Sequence, residues 1–305
     1  MNRTLRLSAL LCFTTALGCP ADPPADTGDT ATTQATLVDR CDEAVASAPL
    51  TAGSYSGDTS AWTDAADTEC FGVDTGPEAF ATVEVPAGAL LIADARLEVG
   101  DAMVYAFDAC ANTSTCLSSA DAMIAGEGEH LTWFNDASDT ASVLLGLDSS
   151  ADSEAGAWTL GLALIEDVAT ATPADDCAAA LGAPTLSPGW YRADLRGTTA
   201  LFDPREGNDC TGYSALSPEG LFPVMIPAGA TLTVRGAASP QADVSVYLLT
   251  DCADLNTCVA GSDNGEPETF TYSNDGAEAL RAYVVADGWG YEGDPLDVFF
   301  EVALQ

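Results

Sequence analysis

The sequence predicts an all-β protein: two tandem β-sandwiches with jelly-roll or Greek-key connections, placed after a signal peptide and a flexible linker. Three observations carry this expectation. Apolar residues recur with period two, as in Thr231-Leu232-Thr233-Val234-Arg235, and Asp297 to Leu304 is rich in aromatic and β-branched residues. Turn residues return about every eight to twelve positions, and no stretch of helical length shows an i, i+3, i+4 stripe. The short run Asp42 to Ala48 has room for a helical turn or two. Finally, the chain is written twice.

The repeat begins in identical register. Cys41 is followed at offsets of 12 and 14 by Gly53 and Tyr55, and Cys177 at the same offsets by Gly189 and Tyr191. VEVPAGA, ending at Ala89, answers PVMIPAGA, ending at Ala230, and DAMVYAFDAC from Asp101 answers DVSVYLLTDC from Asp243. EHLTWFND from Glu129 answers ETFTYSND from Glu268, and Asp148 and Asp287 lie 13 positions beyond Asn135 and Asn274. The expected organisation is a leader over 1–18, a tether over 19–37, one sandwich over 38–166, a linker over 167–175 and a second sandwich over 176–305. Each unit should hold seven or eight short strands, enough for a core of its own.

The leader MNRTLRLSALLCFTTALGC has Arg3 and Arg6, then the apolar run Leu7 to Leu17, the layout of a secretory signal and too short to span a bilayer. Its end, Ala16-Leu17-Gly18-Cys19, resembles the lipobox of bacterial lipoproteins, which implies acylation of Cys19. Ala16 also suits ordinary signal cleavage. Cysteine arithmetic favours the lipid: with Cys12 lost in the leader, eight cysteines pair within the repeats and Cys19 is left over. Pro20 in place of Asp after that Cys points, by the same resemblance, to the outer membrane or cell surface. The following PADPPADTGDTATTQAT is Pro-, Ala-, Thr- and Asp-rich without apolar periodicity. As a coil of about 18 residues it reaches roughly 25 Å.

The order G-x-Y, a strand ending in PAGA, D-x-x-x-Y and a final aromatic-rich strand resembles the bacterial pre-peptidase C-terminal domain, present twice. The resemblance implies a β-sandwich usually appended to secreted peptidases, with some relatives binding calcium, collagen or polysaccharide. This chain has no peptidase domain and carries cysteines that the family does not generally need.

Each unit carries four cysteines: Cys41, Cys70, Cys110 and Cys116 in the first, Cys177, Cys210, Cys252 and Cys258 in the second. The C-x5-C spacing fits neither a zinc clip nor a C-x-x-C redox centre. In an exported protein such thiols read as disulfides. Three connectivities are possible per unit, and proximity in sequence favours Cys41 with Cys70, Cys110 with Cys116, Cys177 with Cys210 and Cys252 with Cys258.

The formal net charge is -38, from 47 acidic residues against nine arginines and no lysine. Such a surface repels phosphate backbones and anionic head groups, so no nucleic-acid partner is expected, and contact with the membrane should run through the lipid alone. The single histidine, His130, alternates with Leu131 and Trp133 and reads as a solvent-facing strand residue. Asp101, Asp121, Asp243 and Asp263 recur at loop-like positions where hard oxygen ligands for calcium could gather. The recurrent Asn135-Asp136 and Asn274-Asp275 equally suit tight turns. No other cofactor is expected. The function that follows is a monomeric, non-catalytic, lipid-anchored envelope protein that binds an extracellular protein or polysaccharide or builds the surface. The alternative is a secreted glycosidase-like hydrolase using a carboxylate pair.

Overall fold

The computed structural model describes residues 37–305 apart from 64–69, 71–75, 111–115, 122–127, 150, 152–153, 207, 209, 216, 240–242, 264–266 and 290–296. Cys19, the leader and residues up to 36 lie outside the described residues. No helix among the described residues is long and apolar enough to cross a membrane.

The first repeat opens with the short helix α1 (Cys41–Ala46) and continues through β1 (Gly53–Asp58), β2 (Ala79–Val85), β3 (Leu90–Leu97) and β4 (Ala102–Phe107). It ends with β5 (Cys116–Ala120), β6 (Gly128–Phe134), β7 (Ala141–Ser149) and β8 (Ala157–Ile165). These form two four-stranded antiparallel sheets, ordered β1-β8-β3-β6 and β2-β7-β4-β5. This is the strand order of a jelly roll, as the sequence predicts.

The second repeat begins with β9 (Val168–Thr170), α2 (Cys177–Gly182), β10 (Gly189–Asp194), β11 (Glu219–Ile226) and β12 (Thr231–Ser239). It continues with β13 (Asp243–Leu249), β14 (Cys258–Ser262), β15 (Glu268–Ser273), β16 (Leu280–Trp289) and β17 (Asp297–Leu304). The same order recurs as β15-β12-β17-β10 and β11-β16-β13-β14, with β9 added in parallel beside β10.

The quoted motifs are the corners of this fold. In each PAGA turn the glycine, Gly88 at φ 73° or Gly229 at φ 74°, occupies the left-handed region that a turn of this type reserves for glycine. The turn is held from the side by a buried amide. Asn135 Nδ2 donates to the carbonyls of Val85, Pro86 and Asp139 at 2.9, 3.1 and 2.9 Å, and Asn274 does the same to Ile226, Pro227 and Glu278. Turn chemistry therefore accounts for both asparagines. The G-x-Y tyrosines clamp the chain just ahead of their own strand: Tyr55 Oη donates to the Thr51 carbonyl at 2.7 Å, and Tyr191 Oη to that of Ser187 at 2.7 Å.

The disulfides correct the pairing expected from sequence proximity. Cys41 bonds Cys110, Cys70 bonds Cys116, Cys177 bonds Cys252 and Cys210 bonds Cys258, with Cα separations of 5.6, 5.3, 5.2 and 5.9 Å. The members of each C-x5-C doublet flank the β4–β5 or β13–β14 connection, and each reaches a different segment lying on the outer sheet. One ties down the helix and the other the loop before β2 or β11. The bridges sit in apolar surroundings: Phe80, Tyr105, Phe107 and Leu144 in the first repeat, Leu221, Tyr247, Leu249 and Tyr283 in the second.

Between the repeats, β3 explains its own composition. Leu91, Ala93, Ala95 and Leu97 face the first sandwich's core, but Leu90 and Ile92 on the opposite face are also buried, against Phe299 of the second sandwich. A strand covered on both faces reads as continuously apolar. Phe134 lies 5.7 Å from the Phe299 ring, and the Arg192 guanidinium sits 4.7 Å above Phe134 while its Nη2 donates to Asp297 Oδ2 at 2.7 Å. The two inner sheets are thus packed on each other through their outer faces.

Two outcomes are expected. Non-reducing peptide mapping should recover the four crossed bridges, and replacing Cys177 and Cys252 together by Ala should cost up to about 4.5 kcal/mol in denaturant unfolding, against about 2.4 for a six-residue loop. Phe299→Ala should cost about 3 kcal/mol and split thermal unfolding into two transitions, because it empties the contact that couples the sandwiches.

Candidate functional site

Two places combine polar groups with burial. The first lies on the seam. His130 of β6 stands directly opposite Asp94 of β3, and its Nδ1 meets Asp94 Oδ1 at 2.5 Å. The imidazole side chain is only 2% exposed, because the second sandwich covers this face, so the expectation of a solvent-facing histidine is corrected. Arg235 of β12 brings its Nη2 to 3.5 Å from the same Asp94 oxygen. Burial works against the Asp94 charge, yet the bond and charge of His130 together with Arg235 outweigh it and hold its carboxyl below the ordinary range. Beside this triad opens a cleft of about 640 Å³, lined by Ser54, Ser56, Arg96, Thr159 and Gly161 of the first sandwich and by Pro267 of the second. Hydroxyls, a guanidinium and a carboxylate on rigid strands can hydrogen-bond a polar ligand there.

The second place is the end of each outer sheet. In the second sandwich Glu219, the first residue of β11, stands opposite Asp287 of β16, and Asp287 stands opposite Ser245 of β13. All three are 0% exposed, in a row on the face whose other residues form the apolar cluster beneath α2. Glu219 is well served: its Oε1 accepts the N–H groups of Leu201 and Phe202 at 2.7 and 3.0 Å, and Tyr247 Oη donates to its Oε2 at 3.5 Å. Asp287 is not, since among the described residues no N–H or hydroxyl group donates to either of its oxygens. Burial, opposed by those hydrogen bonds, pushes the Glu219 carboxyl up to about 7. Burial and then the negative charge of Glu219 push Asp287 well above the usual range. Two carboxyls facing each other in a dry site cannot both stay ionised, and one proton bonds them together.

The first sandwich repeats the arrangement. Glu78 immediately precedes β2, and Asp148 of β7 lies opposite Met103 of β4; both acids are buried. Of the four aspartates singled out from sequence, Asp101 and Asp121 are brought together here. Burial and then the charge of Glu154 raise the Asp101 carboxyl, and burial and then the charge of Asp101 raise that of Asp121. Glu154 Oε2 also accepts the Asp101 N–H at 3.1 Å. Asp263 is buried just past β14, within electrostatic reach of Asp287. The side chain of Asp243 lies outside the described residues. Glu78 and Glu219 were missed by sequence reasoning, although Gly76-Pro77-Glu78 and Ser217-Pro218-Glu219 repeat a Pro-Glu step ahead of a strand.

Among the described residues, Cys177, Asp251 and Cys252 are the one trio of Cys, His or acidic ligand atoms close enough together for a single ion. Both sulfurs of that trio are consumed in a disulfide. That group holds no metal.

No known protein family matches the sequence, and no curated protein matches it. Among solved structures, a Paenibacillus xanthan lyase aligns at 12% identity over 83% of this chain and 25% of its own, with a TM-score of 0.21. The chain thus spans about a quarter of that enzyme's length. Procruciferin, an 11S globulin of Brassica napus, aligns at 9% identity over 75% of this chain and 77% of its own, with a TM-score of 0.14. A mutant of Bacillus subtilis oxalate decarboxylase aligns at 9% identity over 85% of this chain and 80% of its own, also at 0.14. Likeness at this level carries no argument.

The shared proton has a consequence for stability. The folded Glu219 carboxyl holds its proton up to about 7, whereas its ordinary value is 4.5, so between those values the folded state binds more protons than the unfolded chain. The contribution of Glu219 to stability should therefore be greatest below about pH 4.5 and fall as pH rises toward 7, with a slope from this one group of at most about 1.4 kcal/mol per pH unit. Urea unfolding in EDTA across that range measures it, and Asp287→Asn should flatten the slope.

Proposed function

We infer that this chain is a non-catalytic, lipid-anchored envelope protein of an exported, oxidising compartment, whose rigid pair of sandwiches offers the seam cleft to an extracellular protein or polysaccharide. The observation that carries this reading is the cleft itself, in which Ser54, Ser56, Asp94, Arg96 and Thr159 of the first sandwich offer polar groups beside Pro267 of the second. Four disulfides support the oxidising compartment. The lipobox-like Ala16-Leu17-Gly18-Cys19 and the long polar tether behind it support anchoring at the outer membrane or surface. The Glu219–Asp287 pair has no exposed surface for a glycosidic bond to approach, so that pair does not serve the alternative, a hydrolase.

Two experiments test it. Mass spectrometry of the N-terminal peptide should find an acylated Cys19, and Cys19→Ser should release the protein from membranes. On a panel of glycans and peptides, the full chain should bind without turnover, and Arg96→Ala should weaken capture at least about tenfold while leaving thermal unfolding unchanged. Turnover abolished by a single Asp or Glu substitution would instead establish the hydrolase.

A further inference from the structure

The row Glu219–Asp287–Ser245 has a feature that packing does not account for. Once the proton shared with Glu219 is lost, Asp287 is a fully buried carboxylate with no N–H or hydroxyl donor on either oxygen among the described residues, and folded proteins retain such groups where something else satisfies them. Ser245, its neighbour in the row, is likewise 0% exposed and its Oγ has no partner among the described residues. Asp263 and Asp203 add negative charge to Asp287 from β14's end and from the overlying loop. Among the described residues no salt bridge reaches Glu219 or Asp287. Uncompensated anionic oxygens facing a hydroxyl describe the inner half of a hard-cation site.

We propose that Glu219, Asp287 and Ser245 hold a calcium ion beneath the loop that carries Leu201 and Phe202, tying that loop to the outer sheet of the second sandwich. Two carboxylates and a hydroxyl supply the direct protein oxygens, and Asp263 and Asp203 contribute charge. Calcium suits the place better than magnesium because it accepts six to eight oxygens in loose geometry, including carbonyls and water, whereas magnesium demands a tight octahedron. With so few direct carboxylates, the affinity belongs to the extracellular class, about 10⁻⁴–10⁻³ M. When bound, the ion replaces the proton the two carboxyls otherwise share. The site is independent of what the seam cleft binds, so failure of glycan or peptide capture leaves it untouched.

The test is thermal unfolding of the full chain at pH 7.5 in EDTA and in rising CaCl₂ or MgCl₂. Calcium should begin to raise the midpoint near 0.1–1 mM, as this affinity class implies, and go on raising it at higher concentration, and magnesium should do so much less. Asp287→Asn should unfold at or above the wild-type midpoint in EDTA, because its amide donates to Glu219, and should lose the calcium-dependent rise. Ser245→Ala should shift the calcium midpoint to higher concentration. Terbium luminescence excited through Tyr247, whose hydroxyl bonds Glu219, gives a readout that does not depend on stability. It should be displaced by calcium and vanish in Asp287→Asn and in Tyr247→Phe. No calcium-dependent rise in the wild type, a rise that persists in Asp287→Asn, or one abolished instead by Asp148→Asn in the first sandwich, would overturn the proposal.

Discussion

The architecture depends on one apolar contact. Leu90 and Ile92 of β3, with Phe134 of β6, meet Phe299 of β17 across the seam, and Arg192 closes the contact over the Phe134 ring. Without it each repeat would still bury its own core, because the clusters around Trp158 and around Phe300 are separate. What the contact adds is a fixed relation between repeats. It places His130 out of solvent, gives Asp94 a cationic neighbour in Arg235, and lets Pro267 of one sandwich wall a cleft floored by the other.

The repeats differ where the seam demands it. At the position of His130 the second sandwich has Thr269, and at the position of Phe134 it has Ser273. The outward face of β6 meets a partner sheet, while Thr269 on the outward face of β15 stays exposed. Duplication supplied two similar bodies. Divergence of a few outward-facing residues turned one face of each into an interface, while the PAGA corners and the tyrosine clamps stayed the same.

Much of the fold was legible because its signals are local. Alternation in Thr231 to Arg235 sets the two faces of β12, and Gly88 and Gly229 mark turns that need a left-handed residue. The disulfide pairing was not legible, since five intervening residues say how far apart Cys110 and Cys116 are along the chain but not which segments lie over them. His130 was misread for a related reason: a polar residue on the outward face of a strand is solvated unless another body covers it, and period two carries no information about a second sandwich. Glu78 and Glu219 escaped notice among 47 acids because burial, not identity, distinguishes them.

The bridges also bear on how the chain matures. In each repeat the four cysteines pair first with third and second with fourth, so the two loops interlock. A chain threaded outward from its N-terminus presents Cys41 and Cys70 to the oxidising side before Cys110 has emerged, and Cys177 and Cys210 before Cys252. An oxidase acting on thiols in order of arrival would join neighbours and produce a bridge that the finished sandwich cannot contain. Correct maturation therefore requires either that β1 to β5 assemble before oxidation or that a thiol–disulfide isomerase reshuffles the early bonds. Since each set of four closes within its own repeat, the first sandwich can complete this sorting before the second has crossed.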